Sequence, residues 1–483
     1  MHNKSLFGII LISLIIAAFT LRAGHEWGDD FSSYIMQAES IVDGNTQEFV
    51  EHNAFTIFES SFQIGPVAYP WGYPLILAPV YALKGNSPLA LKLPGLFFFA
   101  AFLVCLHYVW NGSDLSRNES LLLVAVFAFN PLLLDFLDQI LSDIPFLFFS
   151  TLALLLANKN PRSMRNNVLL GIVITIAFFI RTTGILLLAS FFVVEFFKVW
   201  RYRADPTFFK NTLQNILIVC GSFGFMWILY ALIFPGGGES YFAQYQAFQF
   251  STAWEYINSY FDVFSQFFGE TTVWKYLYYV LWIFFLIGLW ARRKKETIFV
   301  VFFLLWMILL ITWPSWQGAR FIFPLLPISI YFVYQGMKSV VNTLPENYQK
   351  TGQIITHGFW LIIALIFLFD SSTNAYHNLQ NDRAINGPYD SYSTEVYKYV
   401  TEKTSPDSII VFFKPRAMRL MTGHDAIMSM ECDRILKGDI LVLSRRVKIA
   451  ENHQIRPEEI ASCNLPLDEV FRNSRFIVYE INK

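Results

Sequence analysis

Eleven apolar runs that approach or reach the length of a bilayer crossing recur along these 483 residues, and that repetition constrains the fold more than any motif does. A crossing helix needs about 20 mainly apolar residues, because lipid offers no partner to an unbonded backbone group. The runs lie near 6–21, 91–110, 119–134, 142–157, 167–180, 182–199, 213–234, 275–291, 297–313, 320–337 and 355–370. With 54% of residues hydrophobic and 15% charged, too few polar side chains remain to coat a soluble globule. The sequence therefore predicts a polytopic α-helical membrane protein of about 11 transmembrane helices. The formal net charge of -1 names no partner. The lipid bilayer is an expected one and nucleic acid is not.

The positions of the charges orient the chain. Basic residues gather in alternate connections: Lys159, Arg162 and Arg165; Lys198, Arg201, Arg203 and Lys210; Arg292, Arg293, Lys294 and Lys295; Lys338 and Lys350. By the positive-inside rule these are cytoplasmic. The intervening connections are acidic, with Asp135, Asp138 and Asp143 in one and Glu239, Glu255, Asp262 and Glu270 in another. The 22–70 segment carries Glu26, Asp29, Asp30, Glu39, Asp43, Glu48, Glu51 and Glu59 against Arg22 alone. These face outward, which predicts a multi-pass protein of the inner (plasma) membrane with a cytoplasmic N-terminus. Residues 1–21 show no small-residue cleavage site of the usual kind and are expected to remain as the first span. The proline-broken stretch Tyr69 to Leu83 must dip in without crossing, since a crossing there would turn every later basic cluster outward.

An odd number of spans leaves 371–483 outside, against a transmembrane domain at 1–370. The composition there predicts a small α/β domain: a helix at Ser393–Thr404 and strands at Ser408–Phe413, Asp439–Leu443 and Arg475–Ile481. Cys105, Cys220, Cys432 and Cys463 have no CxxC spacing, so neither a disulfide framework nor a zinc site is expected. No Walker A motif, dinucleotide fingerprint or internal repeat is present.

Polar side chains at the ends of several spans on one face are costly and so invite a functional reading. Four sets converge on the outer side. Asp29 and Asp30 open a segment with helical spacing (Phe31, Tyr34, Ile35, Ala38, Ile41, Val42) that suits an interfacial helix. Asp135, Asp138, Gln139 and Asp143 form the second set, Arg181 the third and Arg320 the fourth. Each has a plainer explanation: Asp29, Asp30 and Asp143 as helix caps, the arginines as interfacial anchors, the aromatics as a belt. Together they suit a transfer from a lipid-borne phosphate to a hydroxyl group. Guanidinium groups at Arg181 and Arg320 would hold the departing phosphate. A phosphate monoester leaves as an acidic group and needs no general acid, whereas the acceptor hydroxyl needs a base, for which Asp30 or Asp29 serves. Asp143 is left two roles, orienting the acceptor or helping Asp30 to hold a divalent metal ion, the one cofactor considered.

Asp30-Phe31-Ser32-Ser33-Tyr34 followed by Ala38, Tyr69-Pro70-Trp71-Gly72-Tyr73-Pro74 with Ala78-Pro79 and Gly85, Ser142-Asp143-Ile144-Pro145-Phe146, Arg181-Thr182-Thr183-Gly184, and Arg320-Phe321-Ile322-Phe323-Pro324-Leu325-Leu326-Pro327 occur in that order. The series resembles the GT-C superfamily of polyprenyl-phosphate-sugar glycosyltransferases, in the branch holding protein O-mannosyltransferases and lipid A aminoarabinose transferases. The resemblance covers roughly residues 5–340. It implies a GT-C fold with outer-face juxtamembrane helices, a polyprenyl-phosphate sugar donor, and a glycan, lipid or protein acceptor. It also implies Asp30 rather than Asp29 as the catalytic acid of the motif, and a substrate pocket holding Tyr34, Tyr69, Tyr73, Asp138 and Gln139. Two departures stand out. The aminoarabinose transferases carry a phosphate-contacting lysine in the proline-rich segment where Tyr69-Pro70-Trp71 has none, and the 235–273 loop is too short for the mannosyltransferases' β-trefoil insert.

Two other classes compete. An O-antigen-type polymerase or ligase would concentrate its chemistry in a large later loop. A transporter or flippase would show charged, broken helices at mid-membrane and paired halves.

Overall fold

The computed structural model describes all residues except 1–3, 63, 160–161, 237–249, 314–315, 317, 447–452, 457 and 483. Glu239, one of the acids expected outside, lies outside the described residues.

Every expected span coincides with helix. The first, α1 (Lys4–Thr20), is followed by three helices that belong to the segment expected outside: α2 (Asp30–Asp43), α3 (Thr46–Glu59) and α4 (Gly72–Lys84). Helix α2 ends on Gly44, whose φ of 74° is the left-handed conformation that closes a helix without a Cβ clash. Helix α4 has 13 residues, about 20 Å at 1.5 Å per residue. That falls short of a hydrocarbon core of about 30 Å, in keeping with a segment that dips in. Its first residue, Gly72, lies so close to the end of a neighbouring helix that a Cβ would sit 2.6 Å from the Phe179 carbonyl oxygen. The α2 segment differs from expectation. Phe31 through Ala38 are all buried, polar Ser32, Ser33 and Gln37 included, so it is enclosed by α4 and the C-terminal domain rather than laid along an interface.

Helix α5 (Pro88–Asn111) leads into α6 (Arg117–Ala128) and α7 (Pro131–Leu137), which together replace the single run expected at 119–134. They bend by 56° at Phe129-Asn130-Pro131. Proline cannot donate to the preceding turn and suits a first helical position, and Asn130 caps the new helix by accepting from the Leu133 N–H. The remaining helices are α8 (Asp143–Asn158), α9 (Met164–Ile180), α10 (Ile185–Arg201), α11 (Pro206–Ile233), then α12 (Phe250–Val263) outside the expected set, α13 (Thr272–Arg292), α14 (Thr297–Thr312), α15 (Leu326–Val341) and α16 (Glu346–Gln380). Among the described residues five helical segments are long and apolar enough to cross alone, six if the bent pair is one span, while α1, α8, α9 and α14 are shorter apolar helices. Helices α13 and α15 meet at Gly288 and Gly336, where a Cβ on either would lie within 2 Å of a carbonyl oxygen of the other helix.

Helix α16 passes 370 without a break and hands the chain to the C-terminal domain, so the boundary expected there falls within a helix. The domain contains α17 (Ser391–Lys403), β1 (Ile410–Phe412), α18 (Pro415–Thr422), β2 (Ala426–Ile427), α19 (Cys432–Ile435), β3 (Ile440–Ser444), β4 (Leu467–Arg472) and β5 (Phe476–Ile481). The sheet order is β2-β1-β3-β5-β4, parallel around β1 and antiparallel on both sides of β5. The cysteine expectation is corrected here: Cys432 and Cys463 form a disulfide, brought together from 31 residues apart by the fold, which no local spacing announces.

The first outer segment and this domain are packed into each other. Trp27 reaches the aromatic core of the domain, with ring centroids 4.9 Å from Phe413 and 5.9 Å from Phe412. The Ser61 N–H donates to the Met428 carbonyl, and the Met428 N–H donates to Ser60 Oγ.

Candidate active site

Asp30 begins α2 and faces the start of α15. Its Oδ1 accepts from the Tyr69 hydroxyl at 2.6 Å and its Oδ2 from Arg320 Nη1 at 2.9 Å. Arg320 is placed there by a 3-10 turn, Ala319–Leu325, that precedes α15 and contains Pro324. Tyr69 is held by α2 itself: buried Gln37 donates to the Tyr69 carbonyl at 2.9 Å and accepts from its N–H at 3.1 Å. Beneath the carboxylate, the Tyr34 ring lies 4.7 Å from Tyr69 and 4.8 Å, edge to face, from Tyr73. The Tyr34 hydroxyl pairs with Ser142 Oγ at 3.1 Å.

Arg181 is the extended residue (φ -146°) between α9 and α10. Its Nη1 pairs with buried Asp143, and its guanidinium stacks on Phe321 at 4.4 Å, next to Arg320 in sequence. The two arginines and the two acids on which the sequence reading rests thus form adjoining ion pairs, and Asp143 acts electrostatically on Arg320 as well as on Tyr34.

A cavity of about 480 Å³ opens beside them, lined among others by Asp29, Asp30, Gln139, Arg320, Lys414 and His453. The neighbouring aspartates are not equivalent. Burial works to raise the Asp30 carboxyl, but the Arg320 charge, the hydrogen bonds from Tyr69 and Arg320 and the charge of Arg416 outweigh it and hold it below the usual carboxylate range. Burial pushes Asp29 upward against the charges of Lys414 and Arg416. Asp30 keeps 26% of its side chain open, whereas Asp29 is 8% exposed. Asp29 makes no side-chain cap on its own helix, α2. It lies instead against the first turn of α18, where the Ala417 backbone and the charges of Lys414 and Arg416 act on it. Asp29 thus lies against the C-terminal domain, and Asp30 is the more open of the two carboxylates.

Asp138 does not line the cavity. It is 3% exposed and accepts from the Arg22 backbone and guanidinium and, at 2.7 Å, from Lys92 Nζ. Lys92 also donates to the carbonyls of Gly24 (2.6 Å) and Arg22 (3.0 Å). The pair fixes the chain just ahead of Asp29. Tyr73 is likewise buried below the cavity. Sequence reasoning missed Lys92, although a single lysine inside an apolar run was a usable signal. It also missed Lys414 and Arg416, which look ordinary in a mixed polar domain.

Asp30 and Asp143, the acids offered to a divalent ion, each face an arginine, and among the described residues no group of three or more His, Cys, Asp or Glu converges. A hard cation wants several oxygen ligands, and the described residues bring no such set together.

No family model matches the sequence, and no curated protein is detectably similar to it. Solved structures do match. The crystal structure of ArnT from Cupriavidus metallidurans bound to undecaprenyl phosphate gives a TM-score of 0.58 at 11% identity, over 99% of this chain and 98% of that one. The archaeal oligosaccharyltransferase AglB from Archaeoglobus fulgidus, in complex with an inhibitory peptide and a dolichol-phosphate, gives 0.58 at 10% identity, over 99% of this chain and 74% of that one. At these identities the likeness is one of fold, and it agrees with the fold that the ordered motifs implied.

Proposed function

We propose that this protein is a membrane glycosyltransferase that moves a sugar from a polyprenyl-phosphate donor to an acceptor hydroxyl on the extracytoplasmic face, with inversion. One observation carries the proposal: Asp30, ionised and partly open, stands at a cavity wall with Arg320 on it and the Arg181–Asp143 pair alongside. Asp30 takes the proton of the acceptor hydroxyl as that oxygen attacks the anomeric carbon. Arg320 and Arg181 each retain guanidinium N–H groups beyond those given to the acids, and these hold the phosphate and stabilise the charge that grows as the glycosidic bond breaks. Attack opposite the departing phosphate inverts the anomeric centre. Gln139, on the same wall, is placed to orient the acceptor.

The outward orientation is supported by the basic clusters in alternate connections and by the Cys432–Cys463 disulfide, a bond that persists in oxidising compartments. Lipid analysis of a deletion strain tests the proposal. A polyprenyl-phosphate sugar should accumulate and one envelope glycan, glycolipid or glycoprotein should lose a residue. An unchanged lipid profile beside an unchanged set of glycans contradicts it.

A further inference from the structure

Arg416 is one of the largest fully buried side chains in the molecule, with 0% exposure, and no carboxylate lies within ion-pairing distance of it among the described residues. Its Nη2 donates to the Pro66 carbonyl at 2.6 Å, while Nε and Nη1 find no acceptor among the described residues. A cation buried this way is unfavourable unless something else needs the charge. What surrounds it is the support of Asp30. The guanidinium lies 5.5 Å from the centroid of the Tyr69 ring, the residue whose hydroxyl bonds Asp30. Gly65, at φ +143°, makes that approach possible. A Cβ there would stand 3.0 Å from Arg416 Nη1 and 3.1 Å from the Tyr69 hydroxyl, so the space shared by the two groups admits no side chain.

Resting on the reading of Asp30 as the base, we propose that Arg416 is a positioning residue supplied by the C-terminal domain: it holds Tyr69, and through it Asp30, and keeps a positive charge beside that carboxylate. The arrangement answers a difficulty in the site, because Arg320 cannot neutralise Asp30 and grip a departing phosphate at full strength together. It also gives the C-terminal domain a part in the reaction, since Arg416 sits on α18, the helix whose first turn Asp29 receives. The charged and titratable groups facing Asp30 are Arg320, Tyr69, Arg416, Asp29 and Tyr34, with Asp143 beyond Arg320 and Lys414, His25, Glu26 and His453 on the cavity wall.

The test uses the purified full chain and needs no substrate. A hydrophobic carbodiimide modifies protonated carboxyl groups, and fragment mass spectrometry resolves Asp29 from Asp30 over a series from about pH 2 to about pH 9, which brackets a carboxyl held below the usual range. In the unsubstituted protein Asp30 should become reactive only at lower pH than Asp29. In Arg416→Met and Arg416→Gln its midpoint should rise by about one pH unit or more, and Arg416→Lys should restore most of the difference. An unmoved Asp30 midpoint in either folded variant overturns the proposal. Should neither fold, an Asp30 midpoint at or above that of Asp29 in the unsubstituted chain does so. Full sugar transfer by Asp30→Asn would remove Asp30 as base while leaving this pH result standing, so the two failures are distinguishable.

Discussion

At the scale of single residues, the account turns on which polar groups are committed to structure and which are left for chemistry. Asp138 and Lys92 are committed, both almost wholly buried: Lys92 donates to the carbonyls of Arg22 and Gly24 and to Asp138, and Asp138 accepts from the Arg22 N–H and guanidinium. Lys92→Met leaves Asp138 with only Arg22 and should destabilise the protein by about 3 kcal/mol, seen as a lower melting temperature in detergent. A change within experimental error would mean the pair does not fix the loop. His25 offers a pH test. Its Nε2 accepts from the Ile140 N–H and its Nδ1 faces the Glu26 carbonyl, so the buried ring is a neutral tautomer, and burial lowers it from 6.5 to about 4. Between those values the unfolded chain binds a proton that the folded one refuses. Stability is therefore intact above about pH 6.5 and falls progressively towards about pH 4, by about 3 kcal/mol in all. His25→Asn should flatten that dependence, and an equally steep one would assign it elsewhere. The acids and arginines of the site were legible in sequence because charge at span ends is conspicuous against an apolar background. Arg416 was not, since only the tertiary packing shows that it is buried and set behind Tyr69.

At the scale of elements, the helices were legible for the same reason their ends were uncertain: an apolar run reports burial or lipid but not where a turn is broken. The bend at Phe129-Asn130-Pro131 and the enclosure of α2 both needed the structure, the first because one proline can begin or interrupt a helix, the second because part of its cover, α18, lies far along the chain. The contact of α13 with α15 gives an element-scale prediction. Gly336→Leu must push apart two helices whose backbones touch at that point, and since α15 follows directly on the turn bearing Arg320, donor use should fall together with stability. Loss of stability with unchanged donor kinetics would separate the crossing from the site.

At the scale of the whole molecule, the transmembrane bundle and the C-terminal domain meet at the segment that follows α1, where Trp27 enters the domain core and Asp29 lies against the first turn of α18. The domain itself was legible in outline, with its first helix and three of its strands found close to where alternation placed them. The two-residue strand β2, the exposed strand β4 and the disulfide were not, because each is defined by its partners across the fold. Replacing Cys432 and Cys463 by serine should cost about 3 kcal/mol of domain stability, read as earlier proteolysis of 381–483, and unchanged protease resistance would show the bond to be dispensable. The central claim, that Asp30 is the base of an outward-facing sugar transfer, is tested most directly by comparing the purified protein with Asp30→Asn. The measurement is single-turnover transfer from the lipid-linked sugar isolated from a deletion strain. The variant should fold, bind the donor and lose at least about 100-fold in rate, whereas a rate equal to that of the unsubstituted protein would contradict the account.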